Sequence, residues 1–149
     1  MQKYFLIIGL GLFLTACKTR KAEPFGRVVR LEDKKWYLTS LNNSELPEKD
    51  SSQLFTLEIF SEDNAVYFNC NCDTTYGLYT AQDEFILLTV LGRTDAQCNP
   101  SLFDEYIRQA KNANRFQIKN IKVEDKKAEQ LILWKDDQEL MRFNHLLSK

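Results

Sequence analysis

The stretch Leu54-Phe55-Thr56-Leu57-Glu58-Ile59-Phe60 alternates apolar and polar residues from Phe55 onward, and Phe116-Gln117-Ile118-Lys119-Asn120-Ile121-Lys122-Val123 does much the same further along the chain. Successive strand side chains point to opposite faces, so this period of two describes a sheet with one face buried and one wet. In the second stretch the alternation slips after Lys119. A bulge or bend there is needed to return Ile121 and Val123 to the face of Phe116 and Ile118. Working outward, short runs rich in Val, Ile, Leu, Phe, Tyr, Thr and Trp recur from Lys34 on. Asn, Asp, Ser, Gly and Lys clusters such as Ser61-Glu62-Asp63-Asn64 and Lys135-Asp136-Asp137-Gln138 separate them. The predicted strands are Lys35–Leu41, Leu54–Phe60, Ala65–Cys72, Gly77–Thr80, Phe85–Val90, Arg115–Val123, Gln130–Trp134 and Glu139–His145.

One helix interrupts them. Asn99 is a capping residue and Pro100 suits the first turn, where its missing N–H has no partner to lose. Leu102, Phe103, Tyr106, Ile107 and Ala110 then fall on one stripe, with Asp104, Glu105, Arg108, Gln109 and Lys111 opposite. Asp104 and Arg108 stand at ion-pairing distance along the helix. A single amphipathic helix in a small β domain has a sheet to cover, so the stripe is read as core. The fold class expected is α+β, mainly antiparallel β: about eight strands with one packed helix.

The N-terminal segment reads differently. Lys3 precedes the apolar run from Tyr4 to Leu14, and small residues lead to a cysteine, which is the grammar of a secretory leader. The run is too short to span a bilayer as a helix before the charged stretch Lys18-Thr19-Arg20-Lys21. Leu14-Thr15-Ala16-Cys17 is similar to the lipobox of bacterial lipoproteins. That resemblance implies cleavage before Cys17 and acylation of its thiol, with enough chains for a stable anchor. Lys18 follows, rather than the aspartate that keeps lipoproteins in the inner membrane, so the outer membrane is the expected location. The division expected is a signal peptide over 1–16, a lipidated cysteine and flexible tether over 17–33, and a folded domain over 34–149.

A formal net charge of −1 gives no global field to attract nucleic acid. Lys18, Arg20, Lys21, Arg27 and Arg30 cluster after the lipid. There they either rest on anionic headgroups or form a solvated tether. Aromatics at 12% and hydrophobic residues at 44% supply a core for one domain rather than two.

The domain resembles the META domain family, whose bacterial members include HslJ-like heat-inducible lipoproteins. Trp36-Tyr37-Leu38-Thr39-Ser40-Leu41 is similar to the family's W-x-L-x-x-L opening. Cys70-Asn71-Cys72-Asp73, Gly77-Leu78-Tyr79 and Thr94-Asp95-Ala96-Gln97-Cys98 follow its Cys-Asn turn, G-x-Y and T-x-x-x-C. The family's Gly-Cys-Asn is replaced either by Asn69-Cys70-Asn71 or, one register on, by Asn71-Cys72-Asp73. The resemblance covers roughly Lys35 to His145 and marks Trp36, Asn71, Gly77, Tyr79 and Thr94 as motif residues. It implies a compact, open-barrel-like antiparallel fold with one helix, no established catalytic activity, and a context of envelope stress.

An oxidising compartment invites pairing among Cys70, Cys72 and Cys98. Cys98 is expected to bridge Cys72, with Cys70 as the alternative partner, since Cys70 and Cys72 share a face of one strand. Closing a loop of about 26 residues stabilises a fold by about 3.5 kcal/mol in the chain-entropy model. The spacing argues against other uses. A Cys-x-Cys pair on a strand is neither the two-residue-spaced redox motif at a helix start nor a normal zinc half-site completed by Cys98 and His145. His145, the lone histidine, has no nucleophile beside it in sequence, and Asp136-Asp137 and Glu124-Asp125 read as solvated turn carboxylates. With five glycines and no phosphate-cradling cluster, no catalytic residue, metal or cofactor is expected. Two functions are open: a scaffold or protein-binding lipoprotein held to the membrane beside an envelope partner, and a carrier of lipid or another small hydrophobic ligand.

Overall fold

The computed structural model describes residues 30–46, 55–70, 73–94 and 100–147. In chain order the elements are β1 (Lys34–Leu41), β2 (Ser44–Glu45), β3 (Thr56–Phe60), β4 (Ala65–Cys70), β5 (Asp73–Gln82), β6 (Phe85–Arg93), α1 (Pro100–Asn112), β7 (Arg115–Val123), β8 (Lys126–Lys135) and β9 (Gln138–Leu146). All the strand pairings are antiparallel, and β1 pairs with β9 as well as with β2 and β3. The sheet therefore comes round on itself as a ring. It is not a closed barrel, because β6 and β7 share the single rung Phe85–Arg115.

α1 lies between β6 and β7 in sequence, and its apolar stripe fills the inside of the ring. Tyr106 is fully buried, with Phe55, Phe68, Phe103 and Phe143 around it at ring-centroid distances of 5.5 to 6.2 Å. Its hydroxyl donates to the Thr56 carbonyl at 3.0 Å, which satisfies the polar tip that a buried tyrosine must carry inward. Trp36, Leu57, Val66, Leu131, Leu133 and Met141 belong to the same buried cluster of side chains.

The tight turns are made by Asn, Asp and Glu rather than glycine. Asn42-Asn43 and Glu124-Asp125 take positive φ at both positions, and Asn64, Asp83 and Asp136 at one. Short polar side chains tolerate this region best, and the two-residue versions match the twist of the strands they join.

Several expectations are corrected. β7 carries no bulge: it pairs with β8 without interruption from Arg115–Trp134 to Val123–Lys126, the register set at the Glu124-Asp125 turn running through the whole hairpin. Ile121 and Val123 consequently lie on the outer face, where Ile121 pairs with the buried Ala128. Register shifts fall elsewhere, at Leu38/Ser40, Tyr76/Gly77 and Leu133/Trp134. The mainly antiparallel sheet of about eight strands with one packed helix is what the structure has, with nine described strands once the short hairpin arm Ser44–Glu45 is counted. Asp104 pairs with Arg93 rather than Arg108, and Arg108 pairs with Glu105. The tether expected to reach residue 33 is already packed at Leu31, which is 3% exposed. Asp33 fastens it by taking the Ser61 amide and hydroxyl while its own amide donates to Ile59.

Candidate functional site

β5 and β6 give the domain its most distinctive local geometry. Gly77 sits where the β5–β6 register shifts: a Cβ there would lie 1.9 Å from the Thr89 carbonyl oxygen, so only glycine permits the approach. Beside it, the Tyr76 ring lies flat over Gly92, where a Cβ would meet the phenol oxygen at 2.4 Å.

The outer face of β3 to β6 carries a row of exposed apolar side chains, with Glu58, Asn69, Thr80 and Thr89 among them. Phe60 and Tyr67 contact edge to face at 5.6 Å, Tyr67 pairs across strands with Tyr76, Leu78 with Thr89, and Thr80 with Leu87. Phe85, Leu87 and Leu91 are 57%, 60% and 59% exposed. Next to Phe60 and Tyr67, a depression of about 510 Å³ is bordered by Asp33, Glu58, Glu62 and Asp63. An exposed apolar row with a charged border is the anatomy of a protein contact surface.

On the other side of β6 the backbone has a strand neighbour only at its start, among the described residues. The Ile86 amide donates to the Asn114 carbonyl and the Phe116 amide to the Glu84 carbonyl, and pairing with β7 stops there. Tyr79, the register partner of Leu88, sends its amide to Asn64, away from β6. By the alternation of antiparallel ladders, the amides and carbonyls of Leu88 and Val90 point likewise to the side away from β5. No strand pairs there among the described residues.

This edge and α1 border a groove of about 280 Å³, lined by Thr75, Val90, Ile107 and Lys111, with Arg93, Asp104, Arg108 and Asn112 around them. Thr75 is 1% exposed, and its hydroxyl has no hydrogen-bond partner among the described residues. One rim is fixed. Burial by itself pushes the Asp73 carboxyl up, but hydrogen bonds from Thr94 (2.7 Å) and Arg93 (2.5 Å), with the Arg93 charge, outweigh it and hold the group below the usual carboxylate range. Arg93 also reaches Asp104 at 2.5 Å and lies 4.8 Å over the Phe103 ring. Its charge is neutralised, whereas Lys111 has no ion pair among the described residues and faces solvent in the last turn of α1.

The motif residues fall into separate structural roles. Trp36 is fully buried and donates from Nε1 to the Leu31 carbonyl at 2.9 Å. Tyr79 bonds Glu32 at 3.2 Å; burial, then the Glu32 charge, pushes its phenol up to about 12. Both thus fasten residues 31–32 to the sheet. Thr94 accepts the Thr74 amide and donates to Asp73, and its own amide bonds the Thr74 carbonyl, so the chain ends bordering segments 71–72 and 95–99 are clasped together. Cys17, Asn71, Cys72 and Cys98 lie outside the described residues, as does the leader. Cys70 is buried on the inner face of β4.

His145 is half-buried, with Nδ1 3.0 Å from the Lys35 carbonyl and its ring 5.7 Å from Trp36. Asp136 holds Asn114, and Asp137 lies 3.5 Å from Arg115. Among the described residues no group of three or more His, Cys, Asp or Glu side chains is placed to hold a metal ion. The β6–α1 groove was not signalled by any local motif. Its one sequence trace is polar Asp73 and Thr75 standing at inward positions of an alternating strand.

The class defined by this geometry is a ring-like antiparallel sheet filled by one helix. No family model matches the chain, and no curated protein sequence does. Among solved structures it is similar to an NMR structure of a protein from Burkholderia xenovorans, with a TM-score of 0.59 at 18% identity over 77% of this chain and 83% of that one. At that identity the likeness is one of fold.

Proposed function

We propose that this chain is an envelope-anchored, non-catalytic lipoprotein whose META-like domain is a protein-binding module, acting at the outer membrane in the setting of envelope stress. The leader and Leu14-Thr15-Ala16-Cys17 support the anchor. The observation that carries the binding role is the open apolar row over β3 to β6, from Phe60 to Leu87, outside the buried cluster of side chains. That buried cluster favours a surface-binding module over a carrier of lipid or a small hydrophobic ligand, which would need a lined cavity. The clasp of Thr94 on Asp73 and Thr74 supports a Cys72–Cys98 bridge, because it draws together the chain ends bordering both cysteines.

The test is photo-crosslinking in intact envelopes from a residue placed at Leu78 and, separately, at exposed Lys122 on β7. A discrete adduct from position 78 that is absent from position 122 is expected. Diffuse or absent adducts from both would remove the binding role.

A further inference from the structure

We infer that the groove between β6 and α1 accepts an extended, acidic segment of a partner protein, added as a strand on the free edge of β6 with one carboxylate seated against Thr75 and Lys111. The inference deepens the protein-binding reading and rests on it.

Three independent features select this occupant. The backbone groups of Leu88 and Val90 face an edge without a strand among the described residues, and another extended backbone meets such a ladder most fully. The other lip, β7, carries Lys119 and Lys122, the charges that discourage adventitious pairing, whereas β6 offers Phe85, Leu87 and Leu91 with no charge before Arg93. The groove itself holds a buried hydroxyl without a partner, next to a cation without a counter-ion among the described residues. Arg93 is excluded from that role because Asp73 and Asp104 already occupy it. A carboxylate accepts from the Thr75 hydroxyl and neutralises Lys111, and the apolar side chains that alternate with it along the strand pack beside Leu87 on the outer face.

The test uses the intact chain in detergent and an acetylated, amidated octapeptide of alternating valine and glutamate, read by amide hydrogen exchange. With peptide at about ten times its Kd, exchange at Leu88 and Val90 slows about tenfold, since only the unoccupied fraction exchanges. N-methylating the peptide amides on the edge that faces β6 abolishes the protection while leaving every side chain in place. Thr75→Val weakens binding about ten- to a hundredfold through loss of one charge-assisted hydrogen bond, and Lys111→Ala weakens it in the same direction.

Protection that survives N-methylation, or binding without protection at Leu88 and Val90, overturns strand addition. Protection that grows with protein concentration in the absence of peptide assigns the edge to a second copy and overturns the acidic-segment assignment. Any of these results leaves the crosslink from position 78 standing, so failure of this inference is distinguishable from failure of the binding role itself.

Discussion

Replacing Thr75 with valine should make the domain more stable while making it a poorer binder. The side chain is 1% exposed on the inner face of β5, and its hydroxyl finds no partner among the described residues. A buried hydroxyl left without a hydrogen bond costs about 1–3 kcal/mol. Valine has the same branched shape and χ1 restriction, so neither strand propensity nor rotamer entropy changes appreciably. The exchange substitutes an apolar methyl for the orphaned oxygen, and the expected gain is about 1–2 kcal/mol. For a domain of this size that raises Tm by about 5 °C. Urea unfolding followed by fluorescence of Trp36 and Trp134 measures it, with an unchanged m-value showing that only stability moved. A loss of 1 kcal/mol or more would refute the reasoning, because it would mean that the hydroxyl is satisfied in the folded protein and that its exchange removes a bond.

Gly77→Ala places a Cβ 1.9 Å from the Thr89 carbonyl oxygen, so the β5–β6 register must shift. The expected cost is about 3 kcal/mol or more, read as a lowered urea midpoint, and near-neutrality would contradict the close approach. Acid should weaken the link between α1 and the β1–β2 turn. Hydrogen bonds from Arg108, Gln109 and Asn42 hold the Glu105 carboxylate at about 2, below its ordinary 4.5. A depressed folded-state value stabilises the fold above pH 4.5 and is lost as pH falls toward 2. The contribution is about 1 kcal/mol once the exposure of Arg108 is allowed for. Glu105→Gln should flatten this part of the pH–stability curve, and a curve as steep as that of the unmodified protein would count against the assignment.

How much the sequence revealed depended on whether the cause was local. Alternation in residues 55–60 and the stripe Leu102, Phe103, Tyr106, Ile107 and Ala110 are local patterns, and both correspond to the observed elements. Alternation alone assigns every apolar residue of β7 to the core and so asks for a bulge after Lys119, whereas the register set at the Glu124-Asp125 turn continues unbroken and leaves Ile121 outside. Alternation starts β5 at Gly77, whereas the strand begins at Asp73, because polar Asp73 and Thr75 at inward positions weaken the strand signal. Asp104 pairs with Arg93 because that guanidinium is anchored by buried Asp73, while Arg108 is taken by Glu105. The groove depends on β5, β6 and α1 meeting, a juxtaposition that no stretch of sequence states.

Where this domain works turns on Cys17, and intact mass of the protein extracted from envelopes tests that most directly. The expected species lacks residues 1–16, carries acyl chains on Cys17, and gains two hydrogens on reduction as a single bridge to Cys98 opens. A full-length, acyl-free chain recovered from the soluble fraction, with the same mass before and after reduction, would contradict the account.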